Sequence, residues 1–379
     1  MTVVLICNHF PPVVDGVGDY TRHLAQELAL AGLEVHIICR EQPHLDIPAG
    51  ISVHPLVKKW NREGVHLIVE HIRGIQPDWV GLQYVPYGFN RFGTPLLLPH
   101  LLKKISQAGV AIWITFHEVH IRLQGLRGWV FGSIQRRIAR NLCGYARVCV
   151  TSIEFYRDLL DPFHPEIKVI PVGSNVSIRL LSLAKRTEMR QRHFPDQSFL
   201  VSTFGARNHA ALIESIAQLN ADGAGIGLII CGQVVPSGEL RELSWVHYTG
   251  YLPAEAIGGW LQCSDLFVLP DFVSARGEGG ACLKSGALAA GFAAALPVIG
   301  IRGDMTDKML EHAKNIWLAP DGSPAEWTRA IRTVWQNPEI RERLQKNARR
   351  FHEEYLAWEK IAGQYLDFLG TPQHDRPIS

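Results

Sequence analysis

The chain has 379 residues, 47% of them hydrophobic and 20% charged, enough apolar material to bury two cores rather than one. A formal net charge of +2 argues against a nucleic-acid surface, which shows as a strongly basic face or stripe, and no apolar run reaches membrane-spanning length. The cysteines (Cys7, Cys39, Cys143, Cys149, Cys231, Cys263 and Cys282) are scattered, mostly inside apolar runs, and never spaced as a thiolate metal clip. They read as reduced, buried small hydrophobes, and the amino terminus lacks the basic flank of a signal peptide, so a cytoplasmic protein is expected.

Val3 to Cys7 is an apolar run bounded by turn formers and reads as a strand buried on both faces of a parallel sheet. Tyr20 to Leu30, with Leu24, Leu28 and Leu30 at helix-like spacing, predicts a helix closed by Gly32, and Val35 to Cys39 the next strand. The alternation continues through Trp79 to Gln83, Leu97 to Ser106, Ala111 to Phe116, a long helical segment Gly128 to Asn141, and Arg147 to Thr151. After Val169-Ile170-Pro171-Val172-Gly173-Ser174-Asn175 it pauses in a polar, basic stretch, Arg179 to Asp196, where the domain boundary is placed. A second series follows at Phe199 to Phe204, Gly227 to Cys231, Val246 to Tyr248, Leu266 to Pro270 and Pro297 to Gly300. The last helix, Trp358 to Leu369, carries Ile361, Tyr365, Phe368 and Leu369, and Gly370 to Ser379 reads as a loose tail. Strand and helix patterns taking turns imply doubly wound α/β sheets.

Two glycine-bearing turns, far apart in the chain, each open a helix after a buried strand. The first is Asn8-His9-Phe10-Pro11-Pro12-Val13-Val14-Asp15-Gly16-Val17-Gly18-Asp19-Tyr20-Thr21; the second runs from Gly279 through Lys284-Ser285-Gly286 to Leu296-Pro297-Val298-Ile299. Helix N-termini present unpaired N–H groups and partial positive charge, so two of them facing one cleft can hold an anionic ligand from both sides. Gly16-Val17-Gly18 is not a dinucleotide fingerprint, because Asn8 to Asp15 separate it from the strand; its blander reading is a helix start with Asp19 in the first turn.

Phe116-His117-Glu118-Val119-His120 lies at a strand's carboxyl end, where open α/β sheets place ligands. Its histidines are three apart, not four, and no third ligand is evident, so no metal is expected. His117 suits a sugar hydroxyl or a carbonyl, or else is a hydrogen-bonded loop histidine. Arg136, Arg137 and Arg140 share a helical segment with Trp129, Val130, Phe131 and Ile134. The commoner case is one face packed on the sheet and one solvated; the other is peripheral contact with an anionic membrane surface that collects a lipid-linked acceptor. Tyr84-Val85-Pro86-Tyr87-Gly88-Phe89 is an aromatic wall for a sugar acceptor or a packed loop.

Several of these pieces, in their order, resemble a family 4 glycosyltransferase of GT-B architecture. They are the Asn8 to Leu28 segment, Thr115-Phe116-His117-Glu118, Ile170-Pro171-Val172-Gly173-Ser174-Asn175, Thr249-Gly250-Tyr251-Leu252-Pro253, Ser264-Asp265-Leu266-Phe267-Val268-Leu269-Pro270, and Gly286 to Ile299. The resemblance implies two Rossmann-like doubly wound domains facing a central cleft: an acceptor domain over residues 1–178, a donor domain over 179–354, and a helix over 355–370 crossing back to the first.

The departures from the family are specific. Its usual pair of glutamates, contacting donor sugar and ribose, falls on Cys282 and Ala290 when anchored on Pro297-Val298, and counting from Glu278 reaches Gly286. Leu283-Lys284-Ser285-Gly286-Ala287 resembles instead a subgroup with basic and small residues at this helix start. Lys284 then neutralises a diphosphate while Ser285 and the following amides donate hydrogen bonds; the alternative is a solvated lysine beside an N-cap serine. After Ser202-Thr203-Phe204-Gly205 the family's arginine and lysine are represented only by Arg207 and His209.

The resemblance assigns catalysis to His117, Arg207 and Lys284, and donor contacts to Gly16, Val17, Gly18, Gly205, Glu278, Lys284, Ser285, Gly286 and Ala287. Acceptor contacts fall to Asp19, Tyr20, Tyr84, Tyr87 and Glu118. The implied activity is retaining transfer of a hexose from a nucleotide diphosphate sugar, UDP- or GDP-linked, to a hydroxyl of a glycan, a lipid-linked sugar or a small molecule. No cofactor is implied and, without an Asp-x-Asp motif, no metal. A non-catalytic partner or glycan-binding subunit, and a sugar-nucleotide epimerase or phosphorylase on the same fold, stay as alternatives.

Overall fold

The computed structural model describes residues 1–123, 125–205, 207–232 and 243–370. Most of the expected tail, residues 371–379, lies outside the described residues. The chain forms two compact units, residues 1–171 with the chain from Trp358 onward, and residues 172–357.

The first unit holds a parallel sheet of seven strands: β1 (Thr2–Ile6), β2 (Glu34–Arg40), β3 (Ile51–Val57), β4 (Trp79–Tyr84), β5 (Ala111–Phe116), β6 (Val148–Thr151) and β7 (Ile167–Val169). Their order, β3-β2-β1-β4-β5-β6-β7, reverses direction between β1 and β4. Ile6 pairs with Ile38 on one side and Leu82 on the other, and Val3, Val4, Leu5 and Ile6 are fully buried, as a strand covered by helices on both faces requires. The helix Gly16–Leu30 starts on Asp15, whose carboxylate accepts the Val17 N–H at 3.4 Å, and buries Leu24, Ala25 and Leu28. Strand β3 and the helix Arg62–Ile75 were not apparent in the sequence pattern. Asn61 caps that helix by accepting the Gly64 N–H at 3.0 Å, and Val65, Ile68, Val69 and Ile72 form its buried stripe.

The helix expected over Gly128 to Asn141 forms without a break, opening in a wide π turn, Gly128–Gly132, and continuing as the α-helix Ser133–Cys143. A Cβ at Gly128 would lie 2.4 Å from the Arg122 carbonyl oxygen, and one at Gly132 would lie 2.9 Å from that of Ile121. The turn therefore sits close on the preceding loop in a way only glycines permit. The closing helix, Trp358–Leu369, packs within this first unit: Phe368 meets Trp79 and Trp113 edge-on, with ring centroids 6.0 and 6.1 Å apart.

The second unit repeats the plan with six parallel strands: β8 (Phe199–Phe204), β9 (Ile226–Cys231), β10 (Val246–Gly250), β11 (Leu266–Val268), β12 (Val298–Ile301) and β13 (Trp317–Ala319). The order β10-β9-β8-β11-β12-β13 reverses between β8 and β11. Val201, Leu228, Leu266 and Ile299 join Leu212, Ile216, Trp327 and Ile331 from the flanking helices in one core. Where the pattern pauses, the helix Leu183–His193 forms with no buried residue. Arg190 ties it to the sheet through Asp265, at 2.9 and 3.1 Å.

Candidate functional site

In doubly wound sheets ligands sit outside the carboxyl ends of the strands where the order reverses. In the first unit that place is the end of β1 and β4. Gly18 belongs to it by necessity: a Cβ there would lie 2.7 Å from the His9 carbonyl oxygen, so the helix Gly16–Leu30 approaches the β1 loop closely only because residue 18 has no side chain. Gly16 is exposed and Val17 half-buried on the same turn. Asp19 is half-buried there, its carboxyl pushed up to about 6 by burial and by the Asp15 carboxylate, against the opposing pull of Arg22.

His117 follows β5. Its Nε2–H donates to the Gln83 Oε1 at 3.0 Å, and Tyr20 meets its ring edge-on with centroids 4.9 Å apart. Glu118 is half-buried beside it, and Tyr87 is 40% exposed on the short helix Pro86–Phe89. The other two aromatic residues expected at the acceptor are core residues. Tyr84 is fully buried, and Tyr20 is buried with its hydroxyl 2.9 Å from that of Tyr365. The Tyr365 hydroxyl also meets Thr115 Oγ1 at 3.0 Å, and Trp358 packs against both Tyr20 and His23. Tyr20 thus supports the His117 ring and leaves no surface for a ligand.

In the second unit the reversal lies between β8 and β11, and a cavity of about 490 Å³ opens there. Phe204 and Arg207 come from the end of β8, Asp271 and Phe272 from the end of β11, and Gly279, Gly280, Cys282, Lys284, Ser285, Gly286, Ala287 and Met305 complete the wall. Ser285 is the N-cap of the helix Gly286–Ala293, its hydroxyl accepting the Leu288 N–H at 3.3 Å. That helix is almost entirely buried through Ala287, Leu288, Ala289, Ala290 and Phe292, so its N-terminal amides and their partial charge belong to the cavity wall.

Arg207 is held on three sides. Its Nε donates to Asp271 Oδ1 at 2.7 Å, Nη1 to the Phe204 carbonyl, and Nη2 to Ser285 Oγ at 3.3 Å. The ion pair is largely buried, at 19% and 21% side-chain exposure, so the guanidinium is fixed against the helix start. Gly205, with φ +99°, turns the chain so that Arg207 folds back over it. Asp271 was missed by sequence reasoning; the available signal was a lone carboxylate directly after an apolar strand, at the end where ligands gather.

Two expectations are corrected here, for His209 and Glu278. His209 does not serve as a second cation: it is 5% exposed, and burial together with Arg207 pushes its imidazole down to about 4. Glu278 is turned into its own loop, accepting from Ser274 Oγ at 3.2 Å, and is not in the cavity wall. Cys282 and Ala290, the positions of the family's glutamates, are buried; burial pushes the Cys282 thiol up to about 12, so it stays neutral.

Two doubly wound parallel sheets of this order are the GT-B architecture. The chain belongs to the family 4 type: a family described as "Glycosyltransferase Family 4" matches residues 14–177, and one described as "Glycosyl transferases group 1" matches residues 198–337. Among solved structures it is similar to HepE from Anabaena in complex with UDP and glucose, with TM-score 0.71, 15% identity, and 98% of this chain and 99% of that one covered. Sucrose-phosphate synthase from Thermosynechococcus elongatus gives TM-score 0.70 and 16% identity over 97% of this chain and 98% of that one. WaaG, a glycosyltransferase involved in lipopolysaccharide biosynthesis, gives 0.66 and 15% over 98% and 100%. No curated protein sequence matches the chain.

Proposed function

We propose that the protein moves a sugar from a nucleotide diphosphate sugar to an acceptor hydroxyl with retention at the anomeric carbon. The observation that carries this is the cavity at the β8/β11 reversal, where Arg207, Lys284, the Ser285 hydroxyl and a helix N-terminus meet in one wall. That set suits a diphosphate: two cations, a hydroxyl and oriented amides stabilise the charge that develops as the leaving group departs. Retention then follows front-face attack, with the departing phosphate taking the acceptor proton, so no nucleophilic side chain is called for. Asp271 keeps Arg207 in place rather than touching the ligand. Because HepE is seen with UDP and glucose, UDP is the first carrier to test, and GDP the second.

The test is donor hydrolysis and nucleotide binding across a panel of nucleotide sugars. Slow hydrolysis with release of the α-anomer from an α-linked donor supports the reading. Interconversion of donor epimers would replace it with an epimerase, and glycan binding without any nucleotide affinity with a non-catalytic subunit. His117→Ala is expected to lower turnover tenfold or more with nucleoside diphosphate affinity unchanged, because every residue of the cavity wall belongs to the second unit.

Peripheral membrane contact, with a lipid-linked acceptor, belongs to the same reading. From Val119 to Ser152 the chain carries Arg122, Arg127, Arg136, Arg137, Arg140 and Arg147 and no acidic residue. Within that stretch Leu126, Trp129 and Val130 are 84%, 62% and 48% exposed. Exposed apolar side chains in a stretch of chain that carries arginine and no carboxylate suit an anionic bilayer surface. Sedimentation with anionic vesicles but not neutral ones, weakened by Trp129→Ala, supports this; equal recovery with both vesicle types argues against it.

A further inference from the structure

The cavity carries one feature that phosphate binding does not use. Phe272 is 78% exposed although it directly follows Asp271, one of the most constrained residues of the wall. Its backbone is pinned on both sides. The Asp271 N–H donates to the Leu269 carbonyl at 2.8 Å, and the Asp271 carboxylate holds Arg207. Beyond Phe272, Val273 bridges to Gly279 in antiparallel fashion, and the Gly280 N–H points to the Phe272 carbonyl at 3.4 Å. Gly279, at φ +112°, lies so close that a Cβ would sit 2.2 Å from that carbonyl oxygen. Asp304 secures the loop by accepting the Gly279 N–H at 2.9 Å. The phenyl ring is thus presented from a fixed backbone, in the same wall as the cations, with most of its surface uncovered. A phenyl face open in a cavity wall is a surface on which a flat ring can stack.

We propose that Phe272 is the platform on which the ring attached to the diphosphate stacks, and that it sets affinity for the organic part of the ligand as Arg207 and Lys284 set affinity for the phosphates. This rests on the donor reading above and adds a residue to it. Stacking on a phenyl face needs no particular pattern of hydrogen bonds, so it tolerates more than one base. That fits a chain in which the positions of the family's two glutamates are taken by Cys282, in the cavity wall, and Ala290, buried in the helix behind it.

The experiment is calorimetric titration of the full chain with inorganic pyrophosphate, UDP, GDP and UDP-glucose, in the wild type and in Phe272→Ala, Phe272→Leu and Phe272→Trp. Stacking predicts that Phe272→Ala loses about tenfold or more in UDP and GDP affinity with pyrophosphate affinity unchanged, and that Trp restores it while Leu does not. A loss confined to UDP-glucose, with UDP unchanged, also supports the platform and assigns its ring to the sugar. Unchanged affinity for all four ligands, a parallel loss of pyrophosphate, or full rescue by Leu overturns the proposal while leaving the donor reading in place. Failure of the wild type to bind either pyrophosphate or any nucleotide overturns both.

Discussion

At the scale of single residues, the second unit shows how a site is made from a few fixed charges. Arg207 spends three of its donors on Asp271, Phe204 and Ser285, which orients the guanidinium before any ligand arrives. Lys284 stands at the start of the helix that Ser285 caps. Lys284→Ala is expected to weaken nucleoside diphosphate binding by about 1.5–3 kcal/mol, the range of a charge-assisted hydrogen bond in a shielded wall, as read by calorimetry on a folded variant. With Ala290 fully buried and the Cys282 thiol held neutral, neither position presents a carboxylate to a ribose. UDP and GDP are therefore expected to bind within about tenfold of each other, since discrimination comes from polar groups that the wrong ligand leaves unpaired. A hundredfold preference for one carrier would show that other residues have taken over the role of the glutamates.

At the scale of elements, the first helix is placed by what it lacks. Gly18→Ala puts a methyl group 2.7 Å from the His9 carbonyl oxygen and is expected to cost about 1–3 kcal/mol in urea unfolding. Gly16→Ala, two residues earlier with nothing within 4 Å, is the matched control and should be neutral or slightly stabilising. The closing helix is attached through chemistry as well as through packing. Tyr365 joins Tyr20 of the first helix to Thr115 at the end of β5, all three buried. Tyr365→Phe leaves two buried hydroxyls short of a partner and should cost about 1–3 kcal/mol, whereas adding Tyr20→Phe should cost less than the sum of the two single changes.

At the scale of the whole molecule, the titrating groups give stability a preferred pH range. Burial pushes the His23 imidazole, helped by Arg22, and the His209 imidazole, helped by Arg207, from 6.5 down to about 4. Histidines held neutral in the folded state contribute stability that is complete above pH 6.5 and is lost as the pH falls toward 4, up to about 3 kcal/mol each. Asp19 has the opposite sign: its carboxyl is raised from 3.8 to about 6, so its contribution is present below pH 3.8 and is lost as the pH rises through 6. The melting temperature is expected to fall between pH 6.5 and 4, with His209→Gln flattening that acid limb. Asp19→Asn should raise the melting temperature only above about pH 4.

The alternation of elements was legible in the sequence because a strand buried on both faces needs an unbroken apolar run, as in Val3 to Cys7, and a helix on a sheet needs one apolar stripe. The second helix start was legible for the same local reason, since Ser285 and Gly286 carry their own capping chemistry. Pattern failed where neighbours decide. Gly128 and Gly132 read as an ordinary helix, but in the fold they form a π turn that lies against the preceding loop. Tyr20 and Tyr84 look equally suited to a sugar and to a core, and only the folded sheet buries both. Asp271 and Phe272 had no motif of their own. Asp271 reaches Arg207, and Phe272 the same cavity wall, because β11 pairs with β8, and strand order is set by how helices cover the sheet, information that no local stretch of the chain contains. The sequence by itself therefore determined which elements form and which residues carry charge at their ends; the tertiary structure decided which of those ends meet.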